Sequence, residues 1–564
     1  MTTDQTIGVN NAGMHEALPG EQERTNARLA GASGILALGN ICSRLLGLVR
    51  EMVITYLFGA SGAVDALQVA IIVPKAIYDL LIGGHINGAF VPVLSDVITR
   101  RGREELWRVV SALISLVIAI LALLVLLLEL FAPQIVPVVA PGADSGTQRL
   151  AVDLLRLTAP ALIFMSLFAV FSGTLFALRS FTLPAFAGLV FNACIVLVTL
   201  ALAPSLALFP RLEGGSIAFP FVVARPSAGI IAVAVGWLLG AIAQMALLMP
   251  GMRLSRLRPS VNWRHPALKS IGLLYLPVML SLVIDTLIIR PFSYNLASQT
   301  IEGGIAIMNW ATTLVQFPQG LVATAISVAI LPTLARQSAE MTAAAQQAFK
   351  DTLGLGMRLT TTLILPAATG LFVLAGPIIA LLFENGAFLA ADTEITARAL
   401  RLYLIGLPFA ALDLLLVYAF YARKDTLTPA LVGIVSLVCY LAAALLLFEG
   451  YGLFSLMIAD SVKHFVHATI SGLLLWRRLG GFGRQRLART GAKSALASLI
   501  MAGLALLTLP GLSRWIGAES VLHELALVGV CALLYGGVFL LAARVMQIDE
   551  LAWLLKLLRE RLAR

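Results

Sequence analysis

The chain has 564 residues, of which 59% are hydrophobic and only 12% are charged, and its mean hydropathy is +0.93. A soluble globular domain carries roughly 25% charged residues, so this composition excludes a soluble protein and predicts one that crosses a membrane many times. The net charge of +10 would suit nucleic acid, but its distribution along the chain argues against that partner.

Residues 1–30 form a polar segment ahead of the first apolar run. They lack the short apolar core of a signal peptide, so we expect a disordered cytoplasmic tail that stays on the mature protein. The four cysteines stand singly in apolar runs, without a CxxC pair or a metal-spaced set. We therefore expect no disulfide framework, no zinc site and no bound cofactor.

Fourteen apolar runs follow this tail, each near the ~20 residues that a membrane-spanning helix needs. They predict an all-α polytopic membrane protein. The runs lie near 31–58, 64–98, 107–138, 150–178, 183–208, 218–249, 267–297, 303–335, 352–383, 395–422, 427–448, 452–476, 487–509 and 521–545.

Basic residues concentrate in alternate connections between these runs. The segments 99–108, 252–269 and 476–493 are the most basic, whereas the connections on the opposite side hold few arginines. Cytoplasmic connections are enriched in lysine and arginine. The asymmetry therefore predicts that both termini lie in the cytoplasm, and it explains the positive charge as a topology signal. The outer connections carry Arg149, Arg211, Arg398 and Arg514.

An internal repeat is visible in the first twelve runs. Pro184 and Arg156, with their surroundings, match Pro429 and Arg401 at one offset of 245 residues. Six runs separate equivalent positions, so two six-helix repeats should share one orientation and be related by an axis along the membrane normal. We expect an N-lobe over 31–265, a C-lobe over 266–480, two further helices over 484–545 and an amphipathic interfacial helix over 546–564.

The first run carries Arg44, Arg50 and Glu51 at membrane depth. An ionisable group there costs at least ~2.5 kcal/mol, so it faces a wet cavity or a partner. One interpretation is a guanidinium site for phosphate, since the planar fork of arginine suits bidentate contacts with an oxyanion. The other is a buried Arg–Glu pair that fastens this helix to a neighbour.

The second and seventh runs also carry charge. Lys75 and Asp79 are four residues apart, a spacing at which they would neutralise each other, although Lys75 could still line a chamber. The repeat places Arg290 at the position of Arg50, so the second half would bring its own cation to the same chamber. Asp285 either binds a coupling cation or proton, or pairs with an arginine.

The eighth run has a stripe of polar residues spaced three and four apart, on one face of a helix. Such stripes glue membrane helices together or line a wet cavity. Five residues on one face favour the cavity. The stripe comprises Asn309, Thr312, Thr313, Gln316 and Gln319.

The twelfth run contains Asp460, Lys463, His464 and His467. A self-satisfied polar cluster is the favoured interpretation, with a proton relay as the alternative. The chain has no GxxxxGK[ST], HExxH or GxSxG motif. We therefore expect a transporter, not an enzyme, driven by Na⁺, by H⁺, by the membrane potential or by a partner.

Four stretches together resemble one family. They are SRLLGLVREMVITYLFGASGAVDALQVAIIVPK (43–75), GAFVPVLSD (88–96), FPQGLVATAISVAILPTLAR (317–336) and RKDTLTPA (423–430). The sequence from about 31 to 545 resembles the MurJ (MviN) lipid II flippases of the MOP exporter superfamily. Matched by position, Arg44, Arg50, Glu51 and Asp65 fall on residues of the family pattern, and Asp65 is a second candidate for coupling-ion binding.

The resemblance implies a central cationic cavity lined by runs 1, 2, 7 and 8, and a groove near the last two helices for a polyprenyl tail. It also implies export of lipid II, the undecaprenyl-pyrophosphate-linked peptidoglycan precursor, from the inner to the outer leaflet of the bacterial cytoplasmic membrane. We expect a monomer that contacts membrane lipids and cell-wall synthesis proteins.

The chain departs from the family pattern at two places in the cavity. Tyr78 and Asp79 stand where an Arg-Arg pair is typical, and Thr312 and Thr313 stand where the family has Asp-Arg. These differences bear on the cargo more than on the fold.

Two remaining cations, Lys75 and Arg290, are the geometric substitutes for the missing arginines. Three functions stay open at this point. The first is a lipid II flippase, the second a flippase for another lipid-linked oligosaccharide or a MATE-like antiporter, and the third a non-transporting membrane scaffold of the same fold.

Overall fold

The computed structural model describes residues 19–81, 86–202, 227–252, 262–273, 284–340, 342–517 and 520–552, with short pieces of 206–223 and residues 257, 260 and 560. In these ranges ten helices are long and apolar enough to cross a membrane. The all-α polytopic fold class is thereby confirmed. The count of fourteen spans stays a prediction, since part of the seventh run, 274–283, lies outside the described residues.

Helices account for most of the described chain. Two π-helical turns, Ile284–Ile289 and Gln319–Thr324, precede α9 and α11. The helices are α1 Pro19–Phe58, α2 Gly62–Leu81, α3 Ile86–Val139, α4 Ser145–Thr158, α5 Ala161–Ala177, α6 Thr182–Leu202, α7 Ile231–Leu247, α8 266–273, α9 Arg290–Ser298, α10 Gly304–Pro318, α11 Ala325–Ala339, α12 Ala343–Val373, α13 Ala375–Phe383, α14 Ala390–Ala422, α15 Leu427–Tyr451, α16 Phe454–Leu479, α17 Leu487–Ile516 and α18 Val521–Val545.

The first helix begins earlier than the polar composition of residues 1–30 predicted. It starts at Pro19, so the expected disorder is wrong for 19–30, while 1–18 lie outside the described residues. Proline suits the first position of a helix, and the following segment is rich in Glu, Gln, Arg and Ala, which favour helices. Forty residues of helix span about 60 Å, so α1 is longer than the bilayer core is thick.

The connection between α6 and α7 contains four short strands that the apolar runs did not predict. Leu206–Ala207 (β1) pairs antiparallel with Val222–Val223 (β4), and Arg211–Glu213 (β2) pairs with Ser216–Ala218 (β3). The predicted helices 183–208 and 218–249 are therefore wrong at these ends. The sequence holds a Gly-Gly pair between β2 and β3, which is a hairpin signal within an otherwise apolar segment.

The internal repeat is present in the backbone. Arg179 and Lys424, 245 residues apart, both adopt left-handed conformations, with φ of 60° and 58°, in the turns after α5 and α14. Arg156 and Arg401 each donate Nε–H to a backbone carbonyl of an earlier helix, at 3.3 and 3.2 Å. We refer to α1–α7 as the first repeat and to α8–α16 as the second.

The largest apolar cluster joins the two repeats near one face. The largest cluster unites Leu67 of the first repeat with Trp310 and Phe383 of the second, near the turns 59–61, 299–303 and 384–389. We call this the outer face, following the charge asymmetry. Towards the inner face lie two further clusters: one around Leu106, which also includes Ala267, Leu268 and Ile271 of α8, and one around Phe349, which lies within the second repeat. A further cluster attaches α17 and α18 to α12 and α13.

Replacing Lys424 by glycine should stabilise the fold. Its side chain is exposed, and a left-handed conformation costs a residue with a side chain about 1–2 kcal/mol that glycine avoids. The control is Lys350→Gly in the body of α12, which should destabilise by about 1 kcal/mol. Thermal unfolding in detergent, followed by tryptophan fluorescence, measures both. A lower Tm for Lys424→Gly would contradict the expectation.

The turn between α14 and α15 should give a pH-dependent stability. Partial burial raises the pKa of Asp425, but hydrogen bonds from Thr428 and the ion pair with Arg478 outweigh it and lower that pKa to about 2. Because the pKa of an unfolded aspartate is near 3.9, the stabilisation is complete above about pH 4 and is lost as the pH falls towards 2.

Asp425→Asn should therefore lower the free energy of unfolding at pH 7, and with it the Tm. The loss should be on the order of 1–2 kcal/mol because Arg478 is partly exposed. The difference in Tm between the variant and the wild type should become smaller as the pH is lowered from 5 to 3. A gap that stays constant over that range would show that the carboxylate charge does not contribute.

Candidate functional site

A polar cavity of about 280 Å³ lies where α9 and α10 meet α14, α15 and α16, with Ile72 of α2 on its wall. Four of the five stripe residues of the eighth run face it: Asn309, Thr312, Gln316 and Gln319. Thr313 does not line this cavity, and its hydroxyl donates to the backbone oxygen of Asn309 at 2.9 Å. The stripe thus forms the wall of a cavity.

Arg50 and Glu51 form a buried network that joins the two repeats. Arg50 Nη2 lies 2.5 Å from Glu51 Oε1, and its Nη1 donates to Asn192 Oδ1 at 3.0 Å. Trp310 of the second repeat donates Nε1–H to Glu51 Oε2 at 3.2 Å. The Arg50 guanidinium also lies 5.7 Å from the ring of Trp237. The structure therefore contains the fastening Arg–Glu pair, in which Arg50 remains 20% exposed.

Arg44 reaches from α1 to the start of the π-helical turn in the second repeat. Its Nη1 donates to the backbone oxygen of Gln316 at 3.4 Å. A Cβ on Gly320 would lie 2.4 Å from the same nitrogen, so the guanidinium would have to shift if this position carried a side chain. Because Gln316 is on the cavity wall, Arg44 lies beside the chamber.

Lys75 and Arg290 meet at one carboxylate. Lys75 Nζ is 2.9 Å from Asp79 Oδ2, which is the predicted pairing along α2. Arg290 Nη1 approaches the same oxygen from the second repeat, at 3.8 Å. The three side chains are between 25% and 40% exposed. The structure thus brings two of the predicted cations together, while Arg50 lies in a separate network.

The two candidates for a coupling ion have different surroundings. The buried Asp65 carboxylate accepts the N–H of Ala306 at 2.9 Å and so caps the start of α10. In return, Glu302 Oε1 accepts the N–H of Gly62 at 2.9 Å, at the start of α2. Asp285 lies in a π-helical turn, and its side chain is outside the described residues. Ion coupling by either aspartate stays a prediction.

Backbone contacts between the repeats close the outer face. Ala387 donates its N–H to the carbonyl of Tyr56 at 2.8 Å. Asn295 Nδ2 donates to the carbonyl of Val138 at 2.8 Å, and Gly142 donates its N–H to the hydroxyl of Ser298 at 3.2 Å. Together with the shared apolar cluster, these bonds join the repeats at the outer face, whereas the cluster around Phe349 at the other end lies within the second repeat.

The polar cluster of the twelfth run lies on α16 and lines the same cavity. Lys463 Nζ is 2.6 Å from Asp460 Oδ1, and His464 Nε2 is 3.6 Å from Asp460 Oδ2. His467 is hydrogen-bonded to Asp413 of α14. The expected mutual pairing is therefore present, and these charges also form one side of the chamber. In the described part of the chain no group of three or more acidic, His or Cys residues could hold a metal ion.

Sequence reasoning missed three members of the site. Asp413 is an ionisable residue in an apolar run, so the criterion that selected Arg50 would have found it, whereas Asn192 is uncharged and falls outside that criterion. No sequence signal identified Trp310, because its role depends on Glu51 from another helix.

A second groove opens between α12, α14 and α17 on the lipid-facing side. Its volume is about 410 Å³, and its lining is mainly apolar. It includes Phe372, Ile405, Leu499 and Leu506, with Arg401 as its charged member. The groove therefore suits a hydrocarbon chain.

A comparison of the chain with known families decides its membership. The profile of the family described as "Lipid II flippase MurJ" matches residues 54–525. The chain belongs to the MurJ family. The resemblance inferred from the motifs is thereby confirmed.

Two relatives carry the MurJ name. "Lipid II flippase MurJ" of Burkholderia cenocepacia is 30% identical over 409 residues, which cover 70% of this chain and 73% of that protein. "Probable lipid II flippase MurJ" of Vibrio cholerae is 28% identical over 521 residues, which cover 90% of this chain and 94% of that protein.

Solved structures show the same fold. A MurJ structure described as "inward closed conformation" superposes with a TM-score of 0.71 at 23% identity, and the match covers 89% of this chain and 98% of that one. An inward-facing multidrug resistance MATE transporter of the MOP superfamily has a TM-score of 0.63 at 15% identity, and that match covers 78% and 94%. The MurJ and MATE folds thus share the two-repeat architecture seen here.

Glu51→Ala should destabilise the protein by about 3–5 kcal/mol, because it removes one member of a buried ion pair and the acceptor of Trp310. Asp96→Ala is the control, since it breaks an exposed pair with Arg100 whose loss costs under about 1 kcal/mol. Thermal unfolding in detergent compares the two. Equal shifts in Tm would show that the Glu51 network does not join the repeats.

Proposed function

We propose that the chain moves lipid II from the inner to the outer leaflet of the bacterial cytoplasmic membrane by alternating access. Membership of the MurJ family and the naming of its relatives support this cargo. The observation that carries the proposal is a polar, partly cationic chamber in the second repeat, which α2 of the first repeat joins through Ile72 and through the ion pair between Asp79 and Arg290. No covalent chemistry is required, because the barrier is the passage of a charged headgroup through hydrocarbon.

The headgroup would enter between the inner cluster around Leu106 and the inner cluster around Phe349. Arg44, Lys75 and Arg290 lie along its path, and ammonium and guanidinium groups favour the oxyanions of a pyrophosphate. Breaking the outer hydrogen bonds, such as that between Ala387 and Tyr56, would then open the chamber on the opposite side. The inner ends of the repeats would close in the same movement.

The polyprenyl tail would stay in contact with lipid throughout. The apolar groove between α12, α14 and α17 is a suitable channel, because its walls are already hydrocarbon-like. A tail that is already in hydrocarbon gains no hydrophobic free energy from an apolar groove, so the groove would hold it by van der Waals packing.

The energy source, orientation and assembly are part of the same proposal. A Na⁺ or H⁺ gradient or the membrane potential would drive the cycle, with Asp65 and Asp285 as the candidate ion sites. The basic connections support cytoplasmic placement of both termini. We further propose that the protein works as a monomer and meets cell-wall synthesis proteins at the membrane.

Arg44→Ala should reduce lipid II flipping by about 10-fold or more, because it removes a charge-assisted hydrogen bond to the headgroup. The test uses proteoliposomes carrying lipid II and a reagent that detects it only in the exposed leaflet. Arg44 is half exposed and its bond to a carbonyl is long, so the variant should fold. Arg100→Ala, on the exposed surface, is the control and should flip at the wild-type rate.

Rescue of bacteria depleted of their own lipid II flippase provides the test of cargo. Wild type and Arg100→Ala should restore growth, and Arg44→Ala should not. Failure of the wild type, with transport of another lipid-linked oligosaccharide or of an organic cation in vesicles, would overturn the lipid II assignment. If Arg44→Ala and wild type behaved alike in every assay, the scaffold hypothesis would be favoured.

A further inference from the structure

Asp79 is an acidic residue in a chamber whose function calls for cations. In the sequence it replaces a residue that is typically arginine in the family pattern, and one explanation is that the site has simply lost its anion affinity. The contacts of Asp79 with two cations indicate a different role. One carboxylate oxygen is shared by Lys75 from the first repeat and Arg290 from the second.

The geometry around this oxygen is that of a filled anion site. Asp79 Oδ2 lies 2.9 Å from the ammonium of Lys75 and 3.8 Å from Arg290 Nη1. The first distance is a charge-assisted hydrogen bond, while the second is an ion pair longer than a hydrogen bond. Asp79 thus supplies charge to Arg290 without the bidentate contact that a phosphate group can make.

The three side chains also remain accessible. Lys75 is 39% exposed and Arg290 is 40% exposed. Arg290 lies on the wall of the 280 Å³ cavity. Lys75 is not on that wall but meets Arg290 at Asp79 Oδ2, so an oxyanion that takes the place of this carboxylate would contact both cations.

We propose that Asp79 is an exchangeable counter-ion, which partly neutralises Lys75 and Arg290 while the chamber is empty and is displaced by the pyrophosphate of a lipid-linked headgroup. This inference rests on the proposed function and names the residue that sets its charge selectivity. When the headgroup leaves, Asp79 takes back the two cations. The exchange solves two problems at once, since unpaired cations at membrane depth are costly and an uncontested cation pair would release a pyrophosphate slowly.

Competition with a carboxylate also sets a threshold for the charge of the ligand. An ordinary anionic phospholipid carries a single negative charge on its phosphodiester, so it offers the two cations no more charge than Asp79 does. A pyrophosphate diester carries two and gains from the exchange. Asp79 thereby keeps the abundant phosphodiester lipids of the membrane out of the site.

Binding in nanodiscs tests the exchange. The probes are undecaprenyl pyrophosphate and inorganic pyrophosphate, titrated into wild type and Asp79→Asn. We expect both probes to bind the variant about tenfold more tightly, since one charge-assisted hydrogen bond is no longer contested. Asp96→Asn, which removes a carboxylate from another i,i+4 pair, should leave binding unchanged. An unchanged affinity of Asp79→Asn for the lipid-linked probe would overturn the proposal.

Lipid composition tests the charge threshold. Replacing phosphatidylcholine by phosphatidylglycerol in the nanodisc should leave probe binding to wild type unaltered and should weaken binding to Asp79→Asn. If both proteins respond equally to phosphatidylglycerol, Asp79 does not discriminate against phosphodiesters.

Two further variants guard against a folding defect. In Asp79→Asn/Arg290→Gln the affinity gain should disappear, which identifies Arg290 as the group that Asp79 contests. Lys75→Gln/Asp79→Asn removes one charge of each sign from α2, so it should fold even if Asp79→Asn does not. It should bind more tightly than Lys75→Gln alone, and equal affinities would count against the exchange.

Failure of this inference can be told apart from failure of the proposed function. If the wild type flips lipid II and Asp79→Asn binds the probes no more tightly, only the counter-ion role is lost. If the wild type does not flip lipid II and the variant still binds pyrophosphate more tightly, the counter-ion role of Asp79 stands and the cargo must be another pyrophosphate lipid.

Discussion

The cost of an unpaired charge in hydrocarbon is the constraint on which this structure depends. The charged side chains that α1 and α2 place at membrane depth have polar or charged partners. Glu51 neutralises Arg50 and accepts from a tryptophan of the opposite repeat, and Asp79 is shared by Lys75 and Arg290. Charge pairing therefore determines where the two repeats can touch and where they must leave room for water.

The outer face shows how the repeat symmetry is used. Asp65 of the first repeat caps the start of α10, and Glu302 of the second caps the start of α2, so each repeat closes a helix end of the other. A helix N-terminus favours a carboxylate, and two reciprocal caps fix both the distance and the rotation between the repeats. Because side chains and backbone groups make this seal, it can break and re-form without disturbing the core of either repeat.

The sequence predicted what depends on periodicity and missed what depends on tertiary neighbours. The two repeats and the stripe from Asn309 to Gln319 follow from spacing alone, and both are present. The sharing of Asp79 between Lys75 and Arg290 could not be predicted, since it requires the approach of α9 to α2. The hairpin of Arg211–Glu213 and Ser216–Ala218 was missed because the apolar runs on either side were extended across it in spite of its Gly-Gly turn signal.

Mutual pairing of the chamber charges is compatible with transport and is not an argument for a purely structural role. A carrier must bind its cargo tightly enough to load it and weakly enough to release it, so uncompensated arginines would make a binding protein and not a transporter. In this chain internal carboxylates compete with the ligand for the same cations, and the net affinity is a difference between two similar energies. Such a site can change its occupancy with a small movement of the repeats, because lengthening one ion pair by a few ångströms is enough to shift that difference.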